Sequence, residues 1–193
     1  MSLRITEFGE AVLREKGTPI TEFDAELEQL SKDMIETMYA AEGIGLAAQQ
    51  IGKAIQMCVI DVNFKDRPPE YAYCLDGNTP PLDLIMPMVL INPDLKLLEG
   101  ETEDYEEGCL SFPDIRGNVS RPVDIEVSFQ DLKGDSHTLK AGGILARVIQ
   151  HEVDHLNGVL FIDRMQRTIV QRLEKKLKRL KRNTRDKVKA LKK

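Results

Sequence analysis

His151 and His155 stand four residues apart in the stretch His-Glu-Val-Asp-His. On a helix that spacing stacks two imidazoles on one face, where both can reach a single divalent metal. Glu152 lies about 100° further round the helix. That is too far for a third ligand but well placed to take a proton from a water beside the metal. The chain has three histidines. Two of them fall in this pattern, which weighs against a pair of merely hydrogen-bonded core histidines.

A hydrolytic metal site keeps three protein ligands and one open position. A metzincin would supply its third histidine three residues past Gly158, but Phe161 stands there. A thermolysin-like downstream carboxylate would be Glu174, which sits among Arg172, Lys175 and Lys176 on a basic helix. His137 belongs to a polar hairpin and is expected at the surface. Asp163 stays open, although it follows the helix end by only a few residues. Cys109 remains as a soft ligand beside Gly108, which lets the backbone approach closely. A structural zinc site would need a second nearby cysteine to close it, and none adjoins Cys109.

The elements that must position these groups are legible in outline. GGILARVIQHEVDHLNG is apolar on more than one face, which predicts a central, buried helix that stops at Gly158. Asp154 on that helix is an anion needing a buried cation, and Arg121 is the candidate. Asp24 to Tyr39 carries Leu27, Leu30, Met34 and Met38 at three- and four-residue steps, a helix capped by Asp24. Gln56–Val62 reads as a core strand, as do Val89–Ile91 and Lys96–Glu99. Val123 to Phe129 alternates as a half-buried strand, with His137–Leu139 as its hairpin partner. Residues 64 to 88 hold Pro68, Pro69, Pro80, Pro81 and Pro87 and read as a long surface excursion, with a short strand at Tyr71–Leu75.

With 193 residues, 41% apolar and 31% charged, the chain can bury a full core. No apolar run approaches the ~18 residues that cross a bilayer. The N-terminus lacks a signal-peptide core, and three cysteines without framework spacing fit a reducing, cytoplasmic setting. The net charge of -5 hides a segregation. From Arg164 onward there are 14 Lys/Arg against Glu174 and Asp186, so the body is acidic and the tail basic. Ile169, Leu173, Leu177 and Leu180 give that tail one apolar stripe. A ribosome- or nucleic-acid-binding role for the tail is therefore an accessory expectation.

Three stretches together resemble the signature motifs of bacterial peptide deformylases, in the right order: GIGLAAQ (43–49), EGCLS (107–111) and HEVDH (151–155). The resemblance spans roughly residues 1 to 165. It implies an α+β fold, mostly antiparallel strands around a central metal-binding helix, with an N-terminal helix. The catalytic domain would cover 1–165, with a Pro-rich insertion at about 64–88, and 166–193 would be a basic C-terminal helix. The implied reaction removes the formyl group from the N-terminal formyl-methionine of nascent polypeptides, releasing formate. The family's metal ligands fall on Cys109, His151 and His155, and its general acid/base on Glu152. Gln49 and the Leu110 N–H match oxyanion donors. Gly43, Ile44 and Gly45 match the segment pairing with the substrate backbone, and Arg116 matches a substrate-lining arginine. Arg147 and Val148 stand where short apolar residues usually line the methionine pocket. The resemblance implies one divalent metal, Fe2+, replaceable by Zn2+, Ni2+ or Co2+. It also implies a monomer held at the ribosome by its C-terminal helix. A zincin-type metallopeptidase is the alternative.

Overall fold

Strand alternation and helix capping account for the architecture, a computed structural model that describes residues 2–63 and 71–191. In chain order the elements are α1 (Ala25–Ala40), β1 (Gly45–Ala47), β2 (Met57–Ile60), β3 (Tyr73–Leu75), α2 (Leu82–Ile85), β4 (Met88–Leu97), β5 (Thr102–Gly108), β6 (Arg116–Pro122), β7 (Ile125–Gln130), β8 (Ser136–Ala141), α3 (Gly143–Leu156), α4 (Phe161–Arg164) and α5 (Arg167–Leu191). Short 3-10 turns cover Ala11–Arg14 and Ala48–Ile51. The fold is α+β. Six strands form one antiparallel sheet in the order β1-β2-β4-β7-β8-β3, and β5 pairs with β6 in a second, smaller sheet.

The large sheet is covered on both faces where β2 crosses it. Cys58 and Ile60 point to one core with Leu145, Ile149 and Val153 of α3. Met57 and Val59 point to the other with Leu27, Met34 and Met38 of α1. A strand buried on both sides reads as a continuous apolar run, as MCVI does. α1 starts where Asp24 accepts a hydrogen bond from the Leu27 N–H, and each fully buried Leu or Met it contributes is worth ~1.5–3 kcal/mol. α3 is buried from Leu145 to Leu156, the central helix that its apolar surround requires. It ends before Gly158, whose φ of 70° suits a residue without a Cβ.

A third core joins the small sheet to the C-terminus. Phe112, Ile115 and Val119 pack with Leu160, Phe161, Met165 and Leu177, and Leu173 and Leu180 of α5 flank them. The Lys and Arg residues of α5 face outward.

The sequence reading of β4 needs correction. One strand runs from Met88 to Leu97 instead of two separate ones, with a register break between Ile91 and Asp94. Asn92 takes φ 50° at this bulge. Its side chain bonds both the N–H and the carbonyl of Ile20, so the irregular backbone is held in place. Asn-Pro reads as a break in sequence, and here it marks a bulge. Of the Pro-rich excursion, residues 64–70, with Pro68 and Pro69, lie outside the described residues. The remainder is less of an excursion than expected: β3 takes the sheet edge beside β8 and Leu82 of α2 is buried.

Candidate metal centre

α3 delivers His151 and His155 on one face, their ring centroids 5.1 Å apart. Cys109 reaches them from the end of β5. The chain turns there, closed by the Phe112 N–H to the Cys109 carbonyl at 2.8 Å. Cys109 Sγ lies 3.2 Å from His155 Nε2, and one ligand atom from each of the three residues falls within 4.8 Å of the others. Tetrahedral coordination with thiolate and imidazole bonds of the usual length spaces ligand atoms about 3.5 Å apart, so this donor set fits a divalent ion. Among the described residues no other group of three or more His, Cys, Asp or Glu is gathered in this way.

Electrostatics favour a cation at the same place. Burial works against a charged His151, but Cys109 and Glu107 outweigh it and raise its pKa to about 10. Burial and the charge of His151 keep His155 neutral, well below the ordinary imidazole range. A site that draws a positive charge between a sulfur and a carboxylate while holding a neutral imidazole suits a metal.

Behind the ligands runs a buried ladder of charge. Glu107 Oε2 accepts from His151 Nδ1 at 3.0 Å. Arg121 donates to both Glu107 oxygens, at 2.6 and 3.0 Å, and to Asp154 at 2.8 Å. Arg164 completes the Asp154 carboxylate at 2.6 Å. The expected Arg121–Asp154 pair is therefore present. Burial would raise the Glu107 pKa, but His151 and Arg121 bring it down to about 2. A carboxylate on the far nitrogen of a ligating histidine fixes the ring's tautomer and direction.

Glu152 is set apart from that ladder. It is 4% exposed, and its Oε2 has no hydrogen-bond partner among the described residues. Burial pushes its pKa up to about 7. Gly45 lies against it: a Cβ on Gly45 would come within 2.9 Å of the Glu152 Cδ. Gly43 likewise lies against Leu110, and a Cβ there would meet Leu110 Cδ1 at 2.8 Å. The first motif thus lines the metal centre by close backbone approach. β1 is also the edge of the large sheet, with Ile44 O accepting the Asp61 N–H on its inner side. Arg116 opens β6 opposite Gly108 and lies over that glycine, beside Cys109.

Two residues are placed differently from the sequence reading. Gln49 turns its amide away from the metal cluster, donating to the Leu156 carbonyl at 3.3 Å. Gln50 points in instead, with Nε2 3.4 Å from both Cys109 Sγ and Ser111 Oγ. Both lie on the 3-10 turn that follows β1, where consecutive side chains point about 120° apart. Arg147 leaves the expected pocket wall and reaches Glu107. Glu107 and Gln50 are the site residues that sequence reasoning missed. The signal for Glu107 was its place two residues before Cys109, at the end of an extended run, where alternate side chains share a side.

The polypeptide deformylase family model matches residues 2–171. The chain belongs to that family. A peptide deformylase of Opitutus terrae is 54% identical over 187 residues, 96% of either chain. The crystal structure of a peptide deformylase from Synechococcus elongatus in complex with actinonin is 41% identical. It superposes with a TM-score of 0.76, over 90% of this chain and 87% of that one. The Thermotoga maritima peptide deformylase is 40% identical with a TM-score of 0.73, over 86% of this chain and 99% of that one. The deformylase assignment displaces the zincin alternative, as Phe161 does in the structure: it is a buried core residue packed against Phe112 and His151.

Proposed function

We propose that this deformylase hydrolyses the formamide at the N-terminus of formyl-methionyl polypeptides, releasing formate and a free amine. The observation that carries the reading is the Cys109, His151 and His155 cluster with the buried, unpartnered Glu152 oxygen beside it. The three ligands suit Fe(II), with Zn(II), Ni(II) or Co(II) as substitutes, because thiolate and imidazole donors accept all four. When bound, such an ion activates water, whose pKa it can lower from ~15.7 to about 7.

The chain's own groups do the rest. Glu152 accepts the proton of the attacking water and passes it to the leaving nitrogen. A carboxyl tuned to about 7 can both take and give a proton near neutrality. The Gln50 amide, in place of Gln49, and the Leu110 N–H donate to the oxyanion that develops on the formyl oxygen. The open edge of β1, with Gly43, Ile44 and Gly45, pairs with the substrate backbone. Arg116, exposed beside Gly108, lines the substrate's path.

The protein works as a cytoplasmic monomer on nascent chains, and the basic outer face of α5 holds it to ribosomal RNA. No helix among the described residues is long and apolar enough to cross a membrane. The test is anaerobic purification, metal analysis and a formate assay on a formyl-Met tripeptide. Metal near one equivalent with rapid formate release is expected. Glu152→Gln should keep the metal and lose activity by several orders of magnitude. A metal-loaded protein that releases no formate would overturn the assignment.

A further inference from the structure

Arg147 is a buried cation on the metal-binding helix, 6% exposed. It stands four residues before His151, one turn earlier on the same face of α3. Its guanidinium Nη1 donates to Glu107 Oε1 at 3.0 Å and to the Val119 carbonyl at 3.0 Å. Its Nη2 donates to the Glu103 carbonyl at 2.7 Å. The Tyr105 ring centroid lies 5.4 Å from the guanidinium carbon. Arg147 is therefore fixed to both strands of the small sheet before it touches Glu107.

We propose that Arg147 is a positioning residue of the metal centre, acting through Glu107 on the ligand His151. A carboxylate offers about four lone-pair directions. At Glu107, Arg121 Nε and Arg147 Nη1 fill those of Oε1, and Arg121 Nη2 and His151 Nδ1 fill those of Oε2. With Arg147 in place, Glu107 has no other bond to swing toward, and His151 keeps Nε2 for the metal. The contacts also close a ring: α3 supplies both Arg147 and His151, and Glu107 spans them. The guanidinium contributes charge as well. Glu107 and Asp154 are buried anions joined to Arg121, Arg147 and Arg164, and Arg147 Nη2 also lies 3.6 Å from the more exposed Glu103 carboxylate. Arg147 thus offsets part of the negative charge that Glu107 places behind His151. Removing Arg147 removes that offset.

The proposal rests on the metal-centre reading above, so its test reads metal binding directly. Cobalt-loaded wild type, Arg147→Met and Arg147→Lys are titrated with a chelator, and their thiolate-to-cobalt absorption bands are recorded. Apoprotein melting is followed in parallel. Changes behind a ligating histidine typically cost 10–100-fold in metal affinity, so Arg147→Met should bind cobalt about 10–100-fold more weakly and shift those bands. Arg147→Lys should fall between, keeping the charge but losing the planar fork. In a Glu107→Gln background, Arg147→Met should cost less than about 3-fold, because the path through Glu107 is already cut. Wild-type affinity and bands in folded Arg147→Met would overturn the proposal. So would an equal loss in both backgrounds, which would assign the effect to Val119, Glu103 and Tyr105. If Arg147→Met does not fold, Arg147→Lys decides: weaker binding than wild type supports the proposal, and unchanged binding and bands refute it. A wild-type protein that takes up no cobalt sinks both this inference and the proposed function, whereas tight wild-type binding that Arg147 does not influence sinks only this one.

Discussion

Gln50 Nε2 lies 3.4 Å from Cys109 Sγ, while its Oε1 accepts the Ala47 N–H at 2.8 Å. The second bond orients the amide, so the nitrogen rather than the oxygen faces the metal centre. Gln49 next to it is spent on structure, tying the turn after β1 to the end of α3. Gln50→Ala should therefore lower kcat about 10²–10³-fold, the usual cost of one oxyanion donor, with metal content unchanged. Gln49→Ala should instead lose ~0.5–3 kcal/mol of stability, because it empties a fully buried position. Steady-state kinetics and thermal melts on the two variants check the division. Comparable kcat losses in both would refute it.

Gly45 holds a place that a methyl group would take from Glu152. A Cβ there would meet Glu152 Cδ at 2.9 Å and Cγ at 3.0 Å, too near for either to stay. Glu152 is buried, so its carboxylate cannot swing freely into solvent. Gly45→Ala should keep the fold and the metal but lower kcat about 10²-fold, as a displacement near 1 Å does. A crystal structure of the variant with an unmoved Glu152, or undiminished kcat, would contradict the argument.

What could be read from sequence was local or electrostatic. Two histidines at i and i+4 carry their geometry with them once the helix is recognised. Asp24 caps α1 because its side chain acts three residues along, and Asp154 finds Arg121 because a buried anion must have a partner. The rest depended on direction at single-residue resolution. Neighbouring amides on a tight turn diverge, so Gln49 and Gln50 could not be told apart by chemistry. Arg147 shares a helix face with His151, but its long side chain reaches sideways to β5 and β6 rather than into a pocket. The bulge at Asn92 was hidden because the side-chain bonds that stabilise it come from Ile20 and Gln130, far away in the chain.

α5 is held to the body beyond the apolar stripe that ends at Leu180. Leu177 packs with Leu13, Phe112 and Phe161. Further on, Thr184 is buried and bonds Glu7 at 3.2 Å, and Lys187 reaches the same Glu7 at 2.6 Å. Deleting the chain after Arg167 uncovers that core, and each lost large apolar contact costs up to ~1.5–3 kcal/mol. The truncated protein should melt well below the full chain, so it is a poor probe of ribosome binding. Reversing the charges of exposed Arg172, Lys175, Arg179 and Arg182 leaves the docked face intact. That variant should melt near wild type and hydrolyse formyl peptides normally. It should also co-sediment more weakly with ribosomes, and its binding should depend less steeply on salt. Unchanged ribosome binding at low salt would leave α5 as a docking helix alone.

His137 gives the sheet edge a pH-dependent tie. Its Nδ1 lies 2.6 Å from Asp76 Oδ2 and its Nε2 3.6 Å from Asp131 Oδ2. Asp76 also accepts the Thr138 N–H at 2.8 Å, joining the turn after β3 to β8. The hydrogen bond to Asp76 raises the His137 pKa above its ordinary 6.5, against a smaller opposing effect of burial. The protonated ring therefore contributes stability that is fully present below about pH 6.5 and is lost as pH rises through the higher folded value. Asp76 is shifted the other way, its carboxyl held below 3.8 first by the bond from His137. Its share is present above about pH 4 and is lost on further acidification. The pair thus acts between those limits, modestly, because both groups are partly solvated. Melting temperatures of wild type and His137→Asn, measured from pH 5 to 9, should differ most near pH 5 to 6 and converge toward pH 9. A difference that stays constant across that range would show that the ring acts by packing against Phe129 and not through its charge.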